Sequence, residues 1–266
     1  MGLLPIGSTK TKVAVEHPAH VLATQRLPPC SAYWTFQEVG WQWWDVANAP
    51  EGGGKSPLLL TEIAGASVSV FGKQGRGINF PDPAGGDLLS MAAMTGLLAY
   101  GGGGISLVHW FSVNSLGYQN PLGYFEWIGA EAGGLIGNVT FKAMPVLAGG
   151  FVELRVASPS DELRTPVSGG PQPDFPWTDG EWHMLAVIYD DAAGVVKWSV
   201  DAGAWTSSET ITWAVPPCDS GSIQFLRPTL SDSLGVDECG IWLGHALTDA
   251  NVAYLFNGGA GRTWPL

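Results

Sequence analysis

Apolar and polar side chains alternate with a period of two through much of the chain, and that period marks strands. In Ile105–Val113 one face carries Ile105, Leu107, Phe111 and Val113, interrupted by His109. In Phe151–Val156, Val152, Leu154 and Val156 alternate with Glu153 and Arg155. Trp182–Tyr189 is apolar on both faces, the pattern of a strand covered from above and below. Asp190–Gly194 supplies a turn. Val195–Ala202 follows, with Val196, Trp198 and Val200 expected inward and Lys197, Ser199 and Asp201 outward. Asp201-Ala202-Gly203 closes it with turn chemistry, and Ile223–Leu226 and Val236–Leu243 read as further strands. One short helix is signalled, by Thr248 as N-cap, Asp249 in the first turn, Val252, Leu255 and Phe256 at i, i+3 and i+4, and Gly258 as a stop. A short helix after many strands predicts an all-β sandwich in preference to any βαβ arrangement.

Composition sharpens this picture. The 266 residues suit one large β domain. A hydrophobic content of 45% supports a substantial core, while 37 Gly, 19 Pro and a charged content of 14% point to many turns and few amphipathic helices. The formal net charge of −12 repels phosphate backbones and anionic membrane, so nucleic acid is not an expected ligand. Leu88–Phe125 contains no charged residue, but Gly101–Gly104 interrupts it and Ile105–Val113 alternates, so membrane insertion is not expected. Cys30, Cys218 and Cys239 form no CxxC pair and no zinc pattern. Residues 1–30 read as an extended, Pro-punctuated arm (Pro5, Pro18, Pro28, Pro29) with a short extended piece at Lys12–Glu16, and residues 31–266 as the domain. The arm has no apolar core of signal-peptide length, so no cleaved leader is expected. Thr165–Trp177, with four prolines, reads as a long surface loop.

Four segments in order resemble the laminin-G-like branch of the concanavalin-A-like lectin and glucanase family. They are Ala32-Tyr33-Trp34-Thr35-Phe36; Phe71-Gly72-Lys73-Gln74-Gly75 with Ile78-Asn79-Phe80, similar to the entry into a core strand; Asp179-Gly180-Glu181-Trp182-His183 continuing to Val195–Gly203; and Val236-Asp237-Glu238-Cys239-Gly240-Ile241-Trp242 with Ala246–Ala250 and Leu255–Gly259. The resemblance covers about residues 31–264. It implies a two-sheet antiparallel jelly roll, a fold that hosts lectins, glycosidases, adhesion modules and virion proteins alike, so function must be argued from the site.

Candidate chemistry is sparse. Glycoside hydrolysis needs two carboxylates about 5–9.5 Å apart, and the Glu-x-Asp-x-Glu type of motif carried by enzymes of this fold is absent. Glu126 and Glu131 are five apart, and Asp237 and Glu238, adjacent on a strand, are expected to face opposite ways. No Gly-x-Ser-x-Gly elbow occurs. The histidines His17, His20, His109, His183 and His245 have no zinc-protease spacing, and His183 reads as a strand residue bonding locally. Asp82, Asp87, Asp232 and Asp237 lie in or near loops, where carboxylates either hold Ca²⁺ or accept turn N–H groups. Trp41, Trp43 and Trp44 are too dense for one core face and read as a glycan platform, a subunit contact or ordinary packing.

These readings predict a non-enzyme without an obligatory cofactor, Ca²⁺ being the one ion considered. The expected role is a structural or adhesion subunit of an extracellular assembly, foremost a phage virion in which it decorates the capsid or joins the tail. Its partners would be copies of itself or other subunits, held through the arm, and surface glycans. A free lectin, Ca²⁺-dependent or not, is the alternative, and a glycosidase of the same fold a minor one.

Overall fold

The computed structural model describes residues 27–37, 42–44, 47, 59–64, 68–80, 88–91, 100–113, 124–130, 139–146, 151–157, 162–164, 179–207, 220–226 and 234–263, with side-chain detail from residues 27–37, 47, 71–79, 100–112, 179–205 and 235–263. Expectations for Met1–Arg26 and for the loop Thr165–Trp177 lie outside the described residues.

In chain order the strands are β1 (Ala32–Trp34), β2 (Gln42–Trp44), β3 (Leu59–Ala64), β4 (Val68–Phe71), β5 (Arg76–Phe80), β6 (Leu88–Met91), β7 (Ile105–Val113) and β8 (Tyr124–Ala130). They continue with β9 (Val139–Val146), β10 (Phe151–Ala157), β11 (Glu162–Arg164), β12 (Trp182–Asp190), β13 (Val195–Val200), β14 (Thr206–Ser207), β15 (Ser220–Leu226) and β16 (Leu234–Leu243). Helix α1 (Asp249–Phe256) follows. One eight-stranded sheet has the order β14-β13-β12-β7-β16-β5-β4, with β1 also paired to β16; the other runs β11-β10-β9-β8-β15-β6-β3-β2. The ladders described are antiparallel, so the chain is an all-β sandwich with one short C-terminal helix. The uncharged stretch that begins at Leu88 is used as strands β6 and β7.

Both faces of the first sheet are covered, which explains why β12 reads as apolar throughout. On one face Val108, Trp110, Met184, Ala186, Ile188, Tyr33 and Trp242 form a cluster with Leu247 and with Val252 and Leu255 of α1. On the other, Ile105, Leu107, Leu185, Val187 and Tyr189 are buried, matched across the ladder as Val187↔Leu107 and Tyr189↔Ile105. His109 does not interrupt that face: it is 6% exposed, and burial pushes its pKa down to about 3, so a neutral ring packs there beside Phe111. The outward face expected for β13 is covered as well. Ser199 is fully buried and donates to the Gly203 carbonyl at 3.1 Å, because the turn after β13 folds back over it.

That turn is tight. Asp201 and Ala202 take φ of 53° and 51°, and Gly203 N–H donates to the Val200 carbonyl at 2.9 Å. Asp201 reaches back to β12, accepting Met184 N–H at 2.9 Å and bonding His183 Nδ1 at 2.7 Å, while Asp179 meets His183 Nε2 at 3.2 Å. His183 thus has the local partners expected of it.

Helix α1 begins where the sequence places it. Thr248 Oγ1 accepts Asn251 N–H at 3.2 Å, and Asn251 Oδ1 accepts Thr248 N–H at 3.0 Å, a reciprocal cap with Asn in the third position. The stop falls one residue earlier than expected, with Asn257 left-handed at φ 50°. Thr248→Ala removes the capping oxygen and should cost about 1 kcal/mol, a fall in Tm of roughly 2–4 °C for a chain of this size. Calorimetry checks it, and an unchanged Tm would mean the cap carries no weight in holding α1 on the sheet.

Candidate functional site

The chemistry collects where β16 changes partners. Leu234–Val236 pair with β5 (Val236↔Ile78), whereas Cys239–Ile241 pair with β1 (Cys239↔Trp34). On its other side β16 stays with β7, but the register shifts: Asp237 faces Trp110 and Gly240 faces Val108, so one extra residue is taken up between them. Glu238, at φ 46°, sits in this β-bulge. The bulge undoes the alternation that would send neighbouring acids to opposite faces. Asp237 and Glu238 are both buried, at 0% and 1% exposure.

Their surroundings differ. Asp237 Oδ2 accepts Gln74 N–H and Oδ1 accepts Glu238 N–H, each at 2.9 Å. Glu238 takes no backbone N–H and lies beside the hydroxyls of Tyr33 and Thr263, and the Tyr33 hydroxyl also reaches the Arg262 carbonyl at 3.3 Å. Burial lifts the Asp237 carboxyl to about 8, the charge of Glu238 adding to the rise and the N–H groups of Gln74, Glu238 and Lys73 opposing it. Burial likewise lifts Glu238 to about 7, against the Tyr33 and Thr263 side chains. The same cause holds the Cys239 thiol well above its ordinary range.

Above Asp237 stands the β4–β5 hairpin, pinned from three directions. Gly72 N–H donates to the Gly75 carbonyl at 3.1 Å to close the turn. The Gln37 side chain lies along β5 as a short extra strand would: Nε2 donates to the carbonyls of Gln74, of Thr35 at 2.9 Å and of Arg76 at 3.1 Å, and Oε1 accepts Arg76 N–H at 3.1 Å. Gln74 Nε2 donates to the Ala260 carbonyl, tying the hairpin to the C-terminal segment. Gly72 has to be glycine, because a Cβ there would lie 2.5 Å from both Asp237 Oδ2 and the Arg76 carbonyl carbon. Lys73 Nζ sits 4.5 Å over the Trp110 ring, which stacks on Phe256 at 5.8 Å. Phe71, the last residue of β4, is 94% exposed.

The sequence-predicted site residues fall as follows. Asp237 takes the turn N–H role, its two oxygens used by backbone donors; Asp82, Asp87 and Asp232 lie outside the described residues, and so does Trp41. A Ca²⁺ ion wants several anionic oxygens converging on it, and of the four carboxylates only that of Asp237 is described. Among the described residues no three His, Cys, Asp or Glu side chains gather about one point. Trp43 and Trp44 lie on β2, the terminal strand of the second sheet, opposite Leu60 and Leu59. Glu126 stands on β8 opposite Lys142 and Gln224, and Glu131 lies outside the described residues. The end of the arm packs on its own sheet: Ser31 N–H donates to the Ile241 carbonyl at 2.8 Å and Trp242 Nε1 to the Pro28 carbonyl at 3.2 Å. Sequence reasoning missed Gln37 and Phe71. The available signal was a basic turn bounded by glycines, Gly72-Lys73-Gln74-Gly75, with an aromatic directly before it.

Paired carboxyls raised above their ordinary range are tools for proton transfer when a substrate can reach them. Here the hairpin and the C-terminal segment cover them, and their consequence is for stability. Both acids are neutral in the fold and charged in the unfolded chain above pH of about 4, so the folded state binds more protons. Their contribution is therefore full at acid pH and is lost as pH rises through 7 to 8. Glu238→Gln, which keeps the shape without the proton, should leave Tm near that of the wild type at pH 5 and raise it at pH 8.5. Melting curves at both values check this, and an equal effect at both would show that the carboxyl does not titrate in the fold.

No family model matches the chain, and no curated protein sequence matches it. Solved structures do resemble it. The binding domain of Paraclostridial Mosquitocidal Protein 1 superposes on 87% of this chain with a TM-score of 0.59 at 11% identity, and the binding domain of botulinum neurotoxin serotype G on 85% with a TM-score of 0.56 at 10% identity. This chain spans about half the length of those domains, 52% and 50%. Domain 4 of AbnA, an extracellular GH43 arabinanase of Geobacillus stearothermophilus in complex with arabinotriose, matches 85% of this chain and 97% of its own length, with a TM-score of 0.51 at 17% identity. What this chain shares with all three is the β-sandwich fold.

Proposed function

We propose that the chain is a non-catalytic glycan-binding module of the laminin-G-like kind. The observation that carries the reading is the extent of one likeness: nearly the whole of a domain seen with arabinotriose corresponds to most of this chain. Other similar domains were seen with sialyl sugars, the botulinum neurotoxin DC binding domain with SialylT and the serotype D domain with N-acetylneuraminic acid. The site chemistry agrees, since the adjacent acids Asp237 and Glu238 are buried and no substrate reaches them. Titration calorimetry against sialylated, arabinan and β-glucan oligosaccharides should give saturable binding to at least one class, with no new reducing ends after prolonged incubation. Hydrolysis lost on Glu126→Gln would make the chain a glycosidase instead.

The module works, on this proposal, as a subunit of an extracellular assembly, with a phage virion as the leading case, decorating the capsid or joining the tail. Support comes from the arm. Pro5 and Pro18 disfavour a continuous helix there, an extended segment could add to the edge of a neighbouring sheet, and Leu27–Cys30 fasten the arm's end to the domain. Deleting residues 1–26 should preserve the circular dichroism spectrum while lowering the oligomeric mass seen by sedimentation. Equal mass with and without the arm would favour a free lectin.

A further inference from the structure

We propose that the β4–β5 hairpin is a binding site for a carboxylate-bearing sugar, whose ring lies on Phe71 and whose carboxylate meets Arg76. This rests on the glycan-binding reading above and adds to it a place and a chemical class of ligand.

Phe71 is the starting point. Among the described residues it alone of the large hydrophobic side chains is exposed, at 94%. Leaving a phenyl ring in water forgoes about 1.5–3 kcal/mol of burial, which a ligand seated on the ring would recover. Its partner across the hairpin is Arg76, also exposed, in direct register. Residues directly opposite in an antiparallel pair have Cβ atoms roughly 4.5–5.5 Å apart, so the two side chains leave the same face of the hairpin from adjacent positions. Aromatic faces take the C–H faces of pyranose rings, and the guanidinium fork matches a carboxylate with two parallel hydrogen bonds.

Local charge fits the same ligand. The chain has 24 acidic and 12 basic residues, yet Val68–Phe80 contains Lys73 and Arg76 and no acid. The acid directly beneath, Asp237, is held neutral by burial and so adds no repulsion. A single carboxylate on a sugar feels this field within a Debye length of about 10 Å. An anionic membrane or a second copy of the chain meets the whole molecule, at −12, and is repelled. A carboxylate-bearing glycan is thus favoured over both.

The third point is rigidity. β4 ends its sheet, where a hairpin would ordinarily be mobile. This one is fixed by Gln37, Asp237 and the Ala260 carbonyl. Fixing a contact before the ligand arrives removes an ordering cost from binding, which matters most for small, weakly held ligands such as sugars.

The test uses the full chain, with 3′-sialyllactose and lactose as probes in titration calorimetry. Wild type should bind the sialylated sugar at least tenfold more tightly than lactose. Phe71→Ala should weaken both by at least tenfold, and Arg76→Gln should bring sialyllactose to the lactose level while sparing lactose. Both side chains are exposed, so Tm should not move. Glycan binding that persists unchanged in both variants would overturn the hairpin site and leave the glycan-binding reading standing. Failure to bind any sugar in a broad panel would remove both. Capture by phosphatidylserine vesicles that Phe71→Ala abolishes, or a dimer that the same change dissolves, would assign the hairpin to membrane or to self-association and overturn the sugar site.

Discussion

Strand β16 has one neighbour along one edge and two along the other, and the hand-over between those two fixes much else in the molecule. The hand-over from β5 to β1 falls at Asp237–Glu238, the same place where one extra residue is taken up in the ladder with β7 on the far side. Glu238 in the left-handed region is the local cost, on the order of 1–2 kcal/mol. In return β1, the β4–β5 hairpin and the residues after α1 all find attachment at one place. β1 takes its ladder from Cys239–Ile241, the hairpin gives Gln74 N–H to Asp237, and Tyr33 and Gln74 hold the carbonyls of Arg262 and Ala260.

The same bulge determines the electrostatics. A bulge that brings two consecutive side chains into the interior would ordinarily be filled with apolar residues, and here it holds two acids. Charged, they would face each other with little water to screen them, which is why the neutral form is favoured for both. Asp237 is met by backbone N–H donors, whereas Glu238 is met by the Tyr33 and Thr263 hydroxyls. Packing around the bulge is correspondingly intolerant. A Cβ on Gly240 would come within 2.7–2.8 Å of the Trp242 and Tyr33 rings, and one on Gly72 would strike Asp237.

Much of the fold was legible in sequence because it follows from local periodicity. The ends of β7 and the start and cap of α1 coincide with what alternation and capping chemistry predict. What was not legible depends on partners distant in the chain. Strict alternation separates Asp237 from Glu238, and nothing in Val236–Leu243 taken alone says that the strand meets two neighbours. Ser199 reads as exposed because the turn that buries it is recognisable as a turn but not as a cover. Phe71, placed by resemblance at the entry to a core strand, is exposed on β4, the terminal strand of its sheet among the described residues. Gln37 is a polar residue after an aromatic segment, with no local sign that its amide completes a hairpin 39 residues away.

The arrangement of acids bears on what chemistry the β16 bulge can support. Catalysis by a carboxyl pair needs one acid to give a proton and the other to stay charged, with both reaching the same bond. A bulge buried under a pinned hairpin has the opposite properties: both groups prefer the proton and neither is accessible. The interactions that shut the acids away also hold the hairpin still, because Asp237 accepts Gln74 N–H at its base and Gln37 braces its side. Stiffness in an exposed turn does nothing for proton transfer beneath it, but it lowers the entropy lost when a ligand settles on that turn. Burial of the acids and bracing of the hairpin thus share one contact, the Gln74 N–H accepted by Asp237 at the β16 bulge.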